Sequence, residues 1–192
     1  MGWSGVDGPG EYAWWKAQGI EFYTPLSPLG ASAHYMYLFD PDHEVVEIWT
    51  QEHHHRFNHI HMLAADPKAT AEWFALVTND ENPAVRSGPA GGFYTVPFGQ
   101  VSLHIFPDLP ALRPKERTGV MQPTDGTSID HLAFSFRDVA AAYRRITRLG
   151  VPIVHPLSTD PEYGVKHFFI RAPNGVLVEM LQAKPLPAAA WE

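Results

Sequence analysis

The feature that most constrains the fold of this chain is a block of pattern that recurs along it. Residues 57–65, "FNHIHMLAA", read as a strand that stops at Asp66-Pro67. An Asp N-cap followed by Pro in the first helical turn starts a helix, because Asp accepts free backbone N–H groups and Pro has none to lose. That helix runs on through Trp73, Phe74 and Val77. Residues 129–137, "IDHLAFSFR", repeat the theme with Asp138 as cap. Val139, Ala142, Tyr143, Ile146 and Leu149 then form an apolar stripe at helical spacing, and Gly150 is the stop. His59 and Asp66 are seven residues apart, as are His131 and Asp138. After each helix come β-rich runs, "GGFYTVPF" and "QVSLHIF" in the first block, "VPIVHP", "KHFFIRA" and "VLVEMLQ" in the second. Each block therefore predicts strand, helix, then about three strands. The final strands align as "VSLHIF" with "VLVEML", which sets His104 opposite Glu179, 45 residues after His59 and 48 after His131 respectively.

A third copy precedes these two. The segment from Trp15 to Trp49 matches the later one, with Gly19 opposite Gly150, Pro41 opposite Pro173 and Glu47 opposite Glu179. Counting back 48 residues from Glu47 falls before Met1, so this copy is expected to have its helix and later strands but no first strand. Either the chain is a shortened form of a longer one, or another subunit completes the half-module. The predicted organisation is a partial module over 1–52, a complete two-module domain over 53–184 (modules about 55–107 and 127–184) and a tail over 185–192, with a Pro-, Arg- and Gly-rich connector over 107–127. A sheet edge left open beside Tyr35, Tyr37, Phe39, Ile48 and Trp49 is a liability in water. A homodimer in which two half-modules abut is the expected remedy.

Composition narrows the partners. The formal net charge is −7, a poor match for nucleic acid or anionic membrane, and 45% hydrophobic residues suffice for a sizeable core. With no cysteine there are no disulfides, thiolate ligands or cysteine nucleophile, while eleven histidines remain for metal or proton chemistry. The start, "MGWSGVDGPG", has neither a basic nor an apolar stretch of the kind a signal peptide needs, and no run is apolar for long enough to span a bilayer. A soluble, cytoplasmic protein is expected.

Strand alternation decides which side chains can meet. His59, His61 and Leu63 share one face, as do His131, Ala133 and Ser135, with Leu132, Phe134 and Phe136 turned toward the helix. In the last strands Ser102 and His104 oppose Val101, Leu103 and Ile105, and Glu179 opposes Val178 and Met180. His59, His104, His131 and Glu179 thus lie at matched repeat positions on faces turned from the helices, and they converge if the two copies pair about a pseudo-twofold axis. Three imidazoles and a carboxylate suit one divalent ion among Fe(II), Mn, Ni, Zn and Co. A lone strand histidine is more often solvated or packed; four at repeat-matched positions point to a metal. No phosphate loop, nucleophile elbow or dinucleotide fingerprint is present, so no organic cofactor is expected.

The paired pattern, with "NHIHMLAAD" and "DHLAFSFRD" as first strands and "APNGVLVEM" near the end, resembles the vicinal-oxygen-chelate superfamily, which includes glyoxalase I, fosfomycin-resistance proteins, methylmalonyl-CoA epimerase and extradiol dioxygenases. The resemblance implies an α+β fold in which paired βαβββ modules form a concave, partly open mixed sheet barrel, here preceded by a partial third module. It implies metal ligation by His59, His131 and Glu179, with His104 at the fourth corner where glyoxalase I has a glutamate. It also implies a small-molecule substrate held by two adjacent oxygens, for isomerisation or lyase chemistry. His104, as ligand or base, and His61 are the candidate catalytic groups. Extradiol enzymes carry a tyrosine ten residues before the metal glutamate. That position is Phe169 before Glu179 but Tyr37 before Glu47, with His167 and Tyr163 as nearby substitutes in the later module. Ring-cleaving dioxygenation is thus one alternative, and a metal-free drug-binding protein is another. The run His53-His54-His55 reads as a solvated turn.

Overall fold

The computed structural model describes residues 1–50, 53–78, 85–88, 92–107 and 122–184. Three βαβββ modules follow one another. The first is β1 (Gly2–Gly5), α1 (Gly8–Ala17), β2 (Phe22–Leu29), β3 (Ala33–Phe39) and β4 (Val45–Thr50). The second is β5 (Arg56–Ala64), α2 (Pro67–Thr78), β6 (Arg86–Ser87), β7 (Tyr94–Phe98) and β8 (Val101–Pro107). The third is β9 (His131–Phe136), α3 (Val139–Arg148), β10 (Ile153–Thr159), β11 (Lys166–Arg171) and β12 (Leu177–Gln182).

The helix starts follow the capping logic of the sequence. Asp66 Oδ1 accepts from the Ala69 N–H at 2.9 Å, and Asp138 Oδ1 from Ala141 at 2.9 Å. Helix α1 has the same device in Asp7, which accepts from the Gly10 N–H at 3.2 Å. Glu11 reaches back to the N–H groups of Val6 and Asp7 at 2.7 and 3.1 Å, so orphan donors at that end are satisfied from both sides. Gly150, at φ 72°, ends α3 in a left-handed conformation that a side chain would resist. No helix among the described residues is long and apolar enough to cross a membrane.

The fold is α+β with two open sheets. One has eight strands in the order β2-β3-β4-β1-β5-β8-β7-β6, and the other has four in the order β10-β11-β12-β9. Two expectations are corrected. The first module does not lack its first strand: β1 pairs in parallel with β4, Gly2 beside Glu47, and antiparallel with β5, Gly2 beside His59. Strand pairing on both sides holds a four-residue segment whose glycines give it little intrinsic preference for a strand. The modules that share a sheet are therefore the first and second, joined through β1 and β5, rather than the second and third. With β1 in place beside β4, the argument for a dimer of half-modules loses its ground.

The chain divides into two compact units, Met1–Ala71 with Asp80–Leu109, and Glu72–Asn79 with Pro110–Glu192. In the first, Met36, Val96, Leu103 and Ile105 are fully or almost fully buried. In the second, the final turns of α2 bring Phe74 and Val77 into a core with Ile146, Phe168, Ile170 and Met180. Arg145 of α3 donates to the carbonyls of Leu76, at 2.8 Å, and Val77, which satisfies acceptors that the end of α2 leaves open. The predicted tail and most of the predicted connector lie outside the described residues.

Candidate metal centre

The site is built around a glycine. Gly2 stands between Glu47 on β4 and His59 on β5, and a Cβ there would lie 2.2 Å from His59 Nε2. Because Gly2 has no side chain, Glu47 Oε2 and His59 Nε2 meet across β1 at 2.7 Å. His61, two residues on and thus on the same strand face, brings its Nε2 to 2.9 Å from the same oxygen. His104 on β8 lies beside His61 in the parallel register, and its ring stacks on that of His59 at 4.3 Å and 8°. Ligand atoms of His59, His61 and His104 all lie within 4.8 Å of one another. Three imidazoles and a carboxylate thus converge in the first unit.

Hydrogen bonds set the direction in which these groups point. His59 Nδ1 lies 2.8 Å from Asn58 Oδ1 and its Nε2 2.7 Å from Glu47 Oε2, so the ring is held between an amide and a carboxylate. With His59 only 1% exposed, this imidazole–carboxylate contact is removed from solvent. The Nε2 of His104 lies in hydrogen-bond contact with Ser102 Oγ at 2.9 Å. Burial alone pushes the Glu47 carboxyl up, but hydrogen bonds and charge from His59 and His61 outweigh it and hold it at about 2. Burial, then the neighbouring imidazoles, lowers His104 to about 3, and burial also lowers His61. A carboxylate kept ionised beside His61 and His104, both lowered by burial, is the donor state a divalent ion needs. The residues therefore fit the group. Tyr37 sits opposite Glu47 on β3 and hydrogen-bonds to it; burial, then that carboxylate, raises its hydroxyl and keeps it protonated.

A second cluster occupies the other unit. Glu179 on β12 has Oε1 2.5 Å from His167 Nδ1 and Oε2 3.4 Å from His131 Nε2. His131 Nδ1 is 2.8 Å from Asp130 Oδ1, so in both units the residue before the first-strand histidine aims Nε2 at a glutamate. Phe169 packs edge-on against His131, His155 and His167.

The four predicted ligands are thus placed two and two, His59 with His104 and His131 with Glu179. His61 joins the first cluster and His167 the second, while Tyr163 is 66% exposed. His55 meets Glu11 at 2.9 Å in an exposed turn, as expected of that histidine run. The member of the first cluster that sequence reasoning does not assign to a site is Glu47. Its signal is the alignment with Glu179, which the count of an incomplete module obscures. Gly2 and the orienting pair Asn58 and Asp130 are missed with it, although "NH" and "DH" recur at the repeat.

Below the first cluster, Trp49, Arg56, Arg86, Ser102 and His104 help line a cleft of about 470 Å³. The Trp49 indole N–H is buried there without a hydrogen-bond partner among the described residues.

Repeated βαβββ modules that put histidines on first strands and acidic or imidazole groups on last strands define a class of metal-binding sheet proteins. The chain belongs to the Glyoxalase/Bleomycin resistance protein/Dioxygenase superfamily, whose profile matches residues 56–180. In structure it is similar to a mutant of glyoxalase I from Zea mays, with TM-score 0.72 and 14% identity over 94% of this chain and 66% of that one. A second mutant of the maize protein gives 0.64 and 11% over the same shares. Lactoylglutathione lyase from Agrobacterium tumefaciens gives 0.51 and 20% over 67% of this chain and 93% of that one. The chain thus spans slightly under two-thirds of the maize protein. No curated protein sequence matches it.

Proposed function

We propose that the chain is a divalent-metal-dependent enzyme whose centre is Glu47, His59 and His104, with His61 beside them. The observation that carries this reading is the convergence of the ligand atoms of His59, His61 and His104 within 4.8 Å of one another, with Glu47 Oε2 2.7 Å from His59 Nε2. The donor set suits Fe(II), Mn, Ni, Zn or Co. When bound, the ion supplies Lewis acidity toward two adjacent oxygens of a small organic substrate.

The chain's own groups do the rest. Asn58 fixes the His59 ring, and Ser102 fixes His104. The cleft shields one side of the substrate from bulk water, while Arg56 and Arg86 in its lining favour a substrate that carries an anionic group. His61, neutral and still partly open to solvent, takes the substrate proton. Isomerase or lyase chemistry of the glyoxalase type is the reading this supports, in a cytoplasmic enzyme with no nucleic-acid or membrane partner. Tyr37 favours a second reading, ring-cleaving dioxygenation, because it stands ten residues before Glu47 and holds a proton beside the centre.

The test is metal analysis of untagged protein, followed by reconstitution. Stoichiometric binding that Glu47→Gln abolishes supports the enzyme reading. No binding at all leaves a metal-free binding protein as the function.

A further inference from the structure

We infer that the second unit carries an anion-binding site of its own, a cleft along α3, walled by the end of α2, that takes a small doubly charged oxyanion. The cleft has a volume of about 340 Å³. Phe136, Arg137 and Asp138 line it where β9 runs into α3, Arg145 and Arg148 line it along α3, and Thr78 closes it from α2. All six residues belong to one compact unit, and none belongs to either histidine cluster. Three guanidinium groups and one carboxylate leave the lining with an excess of two positive charges, on a chain whose formal net charge is −7.

The internal repeat shows that the module does not require these arginines. The three modules align on their helix caps, Asp7, Asp66 and Asp138, each of which accepts from the N–H three residues on. Arg137 stands one residue before its cap, where the other copies have Val6 and Ala65. Arg145 stands seven after it, where they have Trp14 and Trp73. Arg148 stands ten after it, where they have Ala17 and Leu76. All six counterparts are apolar. The third module alone has placed charge at three points around one cleft.

The helix accounts for only part of that charge. Arg145 and Arg148 lie in the last turn of α3 and meet the negative end of its dipole, but Arg137 lies at the positive end, where a cation is unfavourable. Arg145 is half-buried and fixed by two neutral partners, the carbonyls of Leu76 and Val77, which leave other N–H groups of its guanidinium to spare. Burial lowers it from its ordinary value, as befits a charge set into the protein without an opposing carboxylate. Among the described residues neither the Arg137 nor the Arg148 guanidinium makes a hydrogen bond or ion pair. Cations gathered in this way repel one another, and a bound dianion relieves the repulsion while matching the excess of two charges. The planar fork of a guanidinium suits paired oxygens, as on a carboxylate or a phosphate. The volume is at the lower end for ligand pockets, which fits a small molecule.

The proposal is independent of the metal reading, so its test uses the full chain free of metal. Inorganic phosphate and succinate are titrated in at fixed ionic strength, at a pH that keeps both doubly charged, and binding is followed by amide nitrogen–proton shifts. Acetate is the singly charged control. The expected result is saturable binding at or below millimolar concentration, with the largest shifts around Arg137 and the first turn of α3, and none comparable from acetate. Tighter binding of phosphate assigns a phosphoryl ligand, and tighter binding of succinate a dicarboxylate; either supports the site. Arg137→Ala and Arg148→Ala, both at exposed positions, are each expected to weaken binding about tenfold. Arg144→Ala removes the same charge from the same helix outside the lining, and affinity is expected to stay within about twofold. Absence of saturable binding overturns the proposal, as when an acid of the chain itself neutralises the cleft. So do equal losses in Arg144→Ala and Arg148→Ala, which would show a diffuse field in place of a site. Shifts centred on Arg56 and Arg86 instead of α3 would overturn it as well, by placing the anion in the first unit.

Discussion

His59 and His131 occupy the same place in two copies of one module, yet the first side chain is 1% exposed and the second 36%. Each has its Nδ1 tethered by the preceding residue and its Nε2 turned to a glutamate. The difference is strand pairing. In the first unit β1 and β5 join two modules, so the cluster is walled by both, and burial lowers His61 and His104. In the second unit β9 has no such neighbour among the described residues, and its cluster stays open. A module supplies the ligands; a pair of modules supplies the environment that makes them a site.

The largest effect that would break this comparison comes from the two histidines themselves. His59→Ala leaves the Glu47 carboxylate buried with one partner fewer, so a loss of about 3 kcal/mol or more is expected in urea unfolding monitored by tryptophan fluorescence. His131→Ala, at the open position, should change stability by no more than about 0.5 kcal/mol. Equal losses would show that the two environments do not differ as described.

Gly2→Ala sharpens the same point. Its methyl would overlap the His59 ring, so a loss of about 1–3 kcal/mol is expected, with weaker metal binding in parallel. Ala133→Gly at the equivalent position relieves no overlap, and its metal affinity should stay near wild type. Isothermal titration of both variants checks this. Next in size is Arg145→Ala, which uncaps two carbonyls of α2 and should cost about 1–2 kcal/mol in thermal unfolding.

The smallest effect concerns acid. Two hydrogen bonds from Arg171, at 2.7 and 2.8 Å, hold the Asp125 carboxyl at about 2, below its ordinary value of 3.8. A depressed carboxyl stabilises the fold above its unfolded value, and that contribution is lost as pH falls from near 4 through 2. Arg171→Lys should therefore flatten the stability–pH curve slightly in that window, with a small loss of stability at pH 7 that disappears as pH falls through 2. The pair is exposed, so the change should be small.

Much of this is legible in the sequence because it is local. The Asp66 and Asp138 caps, the α3 stripe and the strand faces of His59, His104, His131 and Glu179 each depend on spacing over a few residues. The pairing of modules is not local. Nothing in "GWSG" marks it as a strand, since its register comes from β4 and β5 on either side. Without β1, Glu47 has no complete module to belong to, and the four ligands fall to one site instead of two clusters. Tyr37 goes the same way, although its spacing to Glu47 is plain. The repeat announces the module, but not which modules share a sheet.

The central claim is that Glu47 and His59, meeting across Gly2, hold a divalent ion in the first unit. Titration of metal-free protein with Co²⁺, followed by visible absorption, tests it most directly, because the ligand-field bands report the donors themselves. The account predicts saturable bands that are lost in Glu47→Gln and in His59→Ala, and that persist with about one ion per chain in His131→Ala. Bands that survive Glu47→Gln unchanged, or that vanish only in His131→Ala, would contradict it.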